Sequence, residues 1–286
     1  MSADSIIPFT FESLPVRGAL IHLSHSWRRM QRDHVYGTLI LETLGHAAAA
    51  TGLIAQSLKF DGAITLQIQG SRILKVLVMQ CTNDLNIRGM ASMEEGESAA
   101  SFEELTHSAR CAITVENGDR PYQGIVAING ESLPASLKHY FDHSVQVPSL
   151  VALVANEHLA GGILLQQMPG LAIVKDDWTR LNYLLDTLRT ADFDEDAGLA
   201  LIGKLFAEDD VRVQPSRSVK FGCRCSDQKV EDLLKMLGED EARVALKEHD
   251  SIDVVCEFCG EKRSFDAVDV GRLFADNVVG GPESVQ

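Results

Sequence analysis

Four cysteines close to the C-terminus constrain this chain more than any other feature. They stand as Cys223-Arg-Cys225-Ser and Cys256-Glu-Phe-Cys259-Gly, two close pairs separated by a helix-length insert. Such pairs can bring four thiolates around one tetrahedral zinc, each sulfur at about 2.3 Å from the metal. The insert, residues 226–255, is long enough for the pairs to meet. The sequence therefore predicts one zinc per chain in the reduced form, held by Cys223, Cys225, Cys256 and Cys259. His249 lies in the same stretch but reads as a surface histidine.

A metal placed there should control folding. A segment of this size draws only about 3–5 kcal/mol from its own core. Structural zinc supplies roughly 10–16 kcal/mol in comparable small units. The same thiolates are nucleophiles that peroxide or hypochlorite can oxidise. A disulfide needs Cα atoms about 4.4–6.8 Å apart, which a Cys-x-x-Cys turn meets easily and a Cys-x-Cys turn meets with more strain. Oxidation is therefore expected to join Cys256 to Cys259 first, and Cys223 to Cys225 after the metal has left.

Bulk properties narrow the class. The 286 residues suffice for about two domains, and 45% hydrophobic residues can fill a sizeable core. A net charge of −15 weighs against nucleic acid as a partner. The start, Met1-Ser-Ala-Asp-Ser, lacks the pattern of a signal peptide, and the sequence shows no apolar run that reads as a membrane span. A reducing cytoplasm is the expected location, with no membrane partner. Cys81 and Cys111 border strand-like segments and read as small buried hydrophobes.

Along the chain, residues 16–23 read as a strand and 36–57 as a helix rich in Leu and Ala. Residues 63–70 alternate apolar and polar, and 73–80 should return beside them. A strand is expected near 85–90, and a hairpin across Asn117-Gly118. A short helix should cover 132–141, followed by strands at 150–158 and 160–168. The fold class is α+β: an N-terminal core around an antiparallel sheet (1–175), a helical linker (176–220), and a small zinc-binding domain (221–286). In the linker, Trp178, Leu181, Leu184, Leu185 and Leu188 fall at helical spacing, Asp192-Phe-Asp-Glu-Asp reads as a break, and 199–206 as a second amphipathic helix. Such helices usually pack on a neighbour; the sharper reading is a detachable cover over an apolar surface. In the last segment Ser226 should cap a helix through Leu237, with Val230, Leu233, Leu234 and Leu237 on one face. A second helix over 239–247 and a strand at 252–255 precede the second cysteine pair, and the end from Val279 should fray.

The cysteine motifs resemble those of the redox-regulated 33 kDa heat-shock chaperone family. Further matching patches are Val16-Arg-Gly, Leu58-Lys-Phe-Asp-Gly, Leu66-Gln-Ile-Gln-Gly, Tyr122-Gln-Gly-Ile-Val, Tyr140-Phe-Asp-His-Ser and Gly161-Gly-Ile-Leu-Leu-Gln. The resemblance implies a stress-response holdase that works without ATP and is not an enzyme. It implies that the reduced, zinc-bound form is inactive. Oxidation then forms two disulfides, expels zinc and unfolds the tail and linker, after which the chain binds unfolding client proteins and dimerises. The residues agree in lacking a Gly-x-x-x-x-Gly-Lys-Ser/Thr phosphate loop. Rival readings are a thiol–disulfide oxidoreductase on Cys256 and Cys259, a zinc-ribbon nucleic-acid module, and a purely structural zinc site.

Overall fold

In a computed structural model, the described residues are 4–118, 120–128, 131–145, 147–195 and 198–275. The tail expected to fray from Val279 lies outside them, as do Met1-Ser-Ala. The chain forms two compact units, Met1–Gly222 and Cys223–Gln286.

The first unit begins with β1 (Ser5–Phe11) and β2 (Val16–Leu23), then α1 (His25–Gln31) and α2 (Thr38–Ser57). A meander follows: β3 (Ala63–Gln69), β4 (Leu74–Thr82) and β5 (Asn86–Met93). Next come α3 (Phe102–Leu105), the hairpin of β6 (Arg110–Val115) and β7 (Tyr122–Val126), and α4 (Leu133–Tyr140). The hairpin of β8 (Ser149–Ala155) and β9 (Ala160–Gln167) leads to α5 (Lys175–Asp186), α6 (Thr190–Glu195) and α7 (Leu199–Leu205). Three short strands end the unit: β10 (Val211–Val213), β11 (Arg217–Ser218) and β12 (Lys220–Phe221).

The strands divide between two sheets rather than one. The first runs β10-β1-β2-β9-β8, with β11 also on β1; the second runs β12-β5-β4-β3-β6-β7. Pairing is antiparallel throughout, except where β12 lies parallel to β5. The expected helix at 36–57 is α2, and it packs against strands of both sheets. Gly45, Ala47, Ala48, Ala49, Ala50 and Gly52 are all buried, because small side chains let two sheets approach one helix. Against the expectation of no membrane-span pattern, α2 is long and apolar enough to cross a bilayer, but 78% of its apolar window is buried inside this fold. Cys81 and Cys111 sit within β4 and β6, fully buried, and burial pushes both thiols up to about 12.

A second apolar cluster lies on the other side of the first sheet. Ile7, Phe9, Phe11, Leu20, Ile163 and Leu165 meet Leu181, Leu185, Phe193, Leu201, Ile202 and Phe206 from the three helices. The expected break at Asp192-Phe-Asp-Glu is instead helical: it forms most of α6. Asp192 Oδ2 accepts the Arg189 backbone N–H at 2.8 Å, and Phe193, 1% exposed, drives into the cluster. The acidic run conceals that one apolar anchor.

Candidate metal centre

The second unit is built around few apolar side chains. It comprises α8 (Asp227–Leu237), α9 (Glu239–Glu248), β13 (Ile252–Val255), β14 (Lys262–Phe265) and α10 (Ala267–Ala275). Ser226 caps α8, its hydroxyl accepting the Lys229 N–H at 3.3 Å. Gly238 turns the chain into α9 at φ +101°, a conformation that favours glycine. Val230, Leu234, Ala242, Phe265, Val270 and Leu273 make up the buried core. Leu233 and Leu237, expected on the same buried face, remain 51% and 53% exposed. Half of the stripe on α8 therefore stays outside the buried cluster among the described residues.

The four expected cysteines converge. Their sulfurs all lie within 4.8 Å of one another. Cys223 Sγ is 3.6 Å from Cys256 Sγ, and Cys225 Sγ is 3.4 Å from Cys259 Sγ. Sulfurs at the corners of a tetrahedron around zinc stand about 3.8 Å apart. Cys223 and Cys225 come from the extended segment before α8; Cys256 and Cys259 come from the turn joining β13 to β14. That turn is closed by the Cys256 N–H donating to Glu261 O at 2.9 Å and the Gly260 N–H donating to Cys256 O at 2.8 Å. Gly260 takes φ +68°, which tightens the knuckle. His249 ends α9, exposed and outside the cluster.

The local electrostatics ask for a cation. Burial pushes the Cys259 thiol up to about 12 and raises Cys225. Burial also opposes ionisation of Cys223, but the Cys225 backbone N–H and the neighbouring thiols donate to its sulfur and bring it down to about 7. One thiolate is thus supported by its neighbours, while further negative charge in the same space is resisted. A divalent ion removes that resistance, and an all-sulfur donor set of this spacing suits zinc. Two residues bracket the site without any spacing signal to reveal them. Arg263 Nε donates to Asp227 Oδ1 at 2.6 Å, and its guanidinium also lies by the Cys225 sulfur. Lys229 Nζ donates to Arg224 O at 2.8 Å, fixing the turn between Cys223 and Cys225.

An α+β body followed by a small unit gathered on four thiols defines a class: proteins whose tail is organised by sulfur. Comparison makes the class specific. The family model described as Hsp33 protein matches residues 4–266. The 33 kDa chaperonin of Methylobacillus flagellatus is 36% identical over 282 residues, covering 97% of this chain and 96% of the relative. That of Nitrosococcus oceani is 37% identical over 276 residues, with 96% of both chains covered. The crystal structure of the 33 kDa chaperonin from Thermotoga maritima shares the fold at a TM-score of 0.81 and 20% identity, over 96% of this chain and 99% of that one. The chain belongs to the Hsp33 family of chaperones, and chaperoning rather than catalysis is its class of activity. The oxidoreductase reading also lacks its geometry, because Cys256 and Cys259 sit on a turn between strands and not at a helix start.

Proposed function

We propose that the chain is a redox-regulated holdase that binds unfolding proteins without ATP. Its resting form carries one zinc on Cys223, Cys225, Cys256 and Cys259. The observation that carries this reading is the convergence of four sulfurs in a unit with so small a core. Zinc, when bound, keeps the sulfurs ionised and ties the segment before α8 to the β13–β14 turn. Among the described residues, six buried side chains with Leu246, Ile252, Val254 and Phe274 packed on them fall short of the ordering cost of such a unit.

Oxidation acts on the residues that tie the unit together. The Cys256 thiolate attacks one oxygen of peroxide, the O–O bond breaks with hydroxide leaving, and the sulfur becomes a sulfenic acid. The Cys259 thiolate then displaces hydroxide to form the Cys256–Cys259 disulfide. Cys223 and Cys225, left as a pair, follow the same course with a second peroxide. Four thiolate donors are thereby lost, and the tail loses its organiser. The helices 176–206 cover an apolar sheet face through Leu181, Leu185, Phe193 and Phe206. Their release frees that face for clients and for dimerisation of the oxidised chain. The cytoplasm, where thiols rest reduced, is the compartment in which such a switch works.

The test follows zinc release, with a chromogenic chelator, and suppression of client aggregation together while peroxide is added with mild heat. The two traces should rise in step, from a reduced state that protects little. Equal protection by the reduced, metal-loaded chain would exclude regulation and leave a purely structural zinc.

A further inference from the structure

The segment that ends one residue before Cys223 is held in an unusual way. It crosses both sheets at their edges. Phe9, Thr10 and Phe11 of β1 pair with Val213, Arg212 and Val211, and Ser5 and Ile6 pair with Ser218 and Arg217. The Gln214 N–H donates to Pro8 O at 2.9 Å and the Val219 N–H to Asp4 O at 3.0 Å. The Lys220 N–H then donates to Leu85 O at 3.1 Å and the Gly222 N–H to Ile87 O at 3.0 Å, on the edge of the second sheet. Between Val211 and Phe221 only Val219, 3% exposed, is buried. Val213, Gln214, Pro215, Ser216, Ser218 and Lys220 face solvent.

Main-chain pairing thus runs along most of this strap, and its side-chain anchors are few: Val219 in the core, Val211 and Phe221 half-buried, and Arg217, which donates to Gln56 Oε1 and Asn83 O at 2.9 Å each. Backbone pairing carries little sequence information, and strand addition to an open edge is a general way to capture extended peptide. It is the mode of recognition a binder of many unfolded sequences needs. Only Val219 is fully buried, so release of the strap exposes less apolar surface than release of a core strand would, and Cys223 follows it directly.

We propose that the strap is an internal stand-in for client. The edges of β1 and β5 that it occupies receive an extended segment of an unfolding protein once the tail yields, with an apolar client side chain in the Val219 position. This rests on the holdase reading above and names where client backbone pairs.

The probe is a synthetic peptide, Asp-Val-Arg-Val-Gln-Pro-Ser-Arg-Ser-Val-Lys-Phe-Gly, matching 210–222. It is labelled for anisotropy and added to the intact chain, reduced or oxidised. A second peptide carries N-methyl groups at the nitrogens of the Val219 and Lys220 positions, which removes two donors and keeps every side chain. The first peptide should bind the oxidised chain at least tenfold more tightly than the reduced one and restore client aggregation in proportion. The N-methylated peptide should lose at least tenfold on both counts. Client protection by the oxidised chain that the first peptide leaves untouched would overturn the edge proposal while leaving the holdase reading intact. Equal competition by both peptides would assign recognition to side chains and overturn it too. A peptide that abolishes dimerisation but not protection would give the edges to a second copy of the chain. Absence of protection in either redox state would overturn the holdase reading, and this proposal with it.

Discussion

Arg180 in α5 grips Asp209, just beyond α7, with both arms of its guanidinium. Nη1 donates to Oδ2 at 2.9 Å and Nη2 to Oδ1 at 2.6 Å, and the Asp209 side chain is 9% exposed. The pair closes the ends of the helical cover on each other, while Phe206 beneath it packs at 5.7 Å from Phe9 and 5.0 Å from Phe11 between ring centroids. Replacing Asp209 by Asn keeps the shape and one acceptor but strands part of the guanidinium. Loss of one partner from such a pair costs about 1–3 kcal/mol. D209N should therefore speed amide exchange in α5 and α7 by roughly tenfold or more, since about 1.4 kcal/mol is a factor of ten. It should also lower the peroxide needed for half-maximal client protection. Unchanged exchange in α5 would show that the apolar cluster alone holds the cover.

The close seating of α2 makes a different prediction. A methyl added at Gly45 would run into the Cβ of Ala155 and press on the Trp27 ring, neither of which can swing away. Gly203, in α7, has open space at the same test. Gly45→Ala should lower stability by about 1–3 kcal/mol in a urea titration, through overpacking. Gly203→Ala should raise it by about 0.5–1 kcal/mol, because alanine favours a helix interior. Equal effects of both substitutions would mean that α2 is not tightly seated.

These contrasts show what could be read from the chain and what could not. The hairpin across Gly118, the helix capped by Ser226 and the four thiols were legible because turn chemistry, capping and metal-ligand spacing are local. β1 was missed because Pro8 and its neighbours become a strand only between β2 and β10, which joins it from some 200 residues away. The run Asp192-Phe-Asp-Glu looked like a loop because its charge outweighed Phe193. The pairing of β12 with β5 is long-range and only two residues long, so periodicity has no hold on it.

Acid should weaken the first unit through His46. Burial lowers its pKa from 6.5 to about 4, although Glu42 stands 4.0 Å away on the same helix. The folded state thus resists a proton that the unfolded chain accepts. The stabilisation is complete above about pH 6.5 and is lost progressively as pH falls toward 4, about 3 kcal/mol in all. Urea midpoints of the reduced chain should drop across that window, with a shallower slope in His46→Gln. A variant that tracks the parent curve would show that other groups carry the acid sensitivity.

Metal removal gives the most direct test of how the tail is built. With Cys223, Cys225, Cys256 and Cys259 reduced, a strong chelator should strip the site without forming any disulfide. If the thiolate cluster supplies what the core of Val230, Leu234, Ala242, Phe265, Val270 and Leu273 lacks, amides of α8, α10, β13 and β14 should lose protection together, while α2 keeps its own. Cys256→Ser should reach the same state without chelator, binding zinc at least a hundredfold more weakly. It should fail to switch normally with peroxide, since one sulfur of the expected Cys256–Cys259 bond is gone. A stripped tail that stays as protected as the metal-loaded one would show that its six core side chains suffice, and that sulfur chemistry has no lever on the fold.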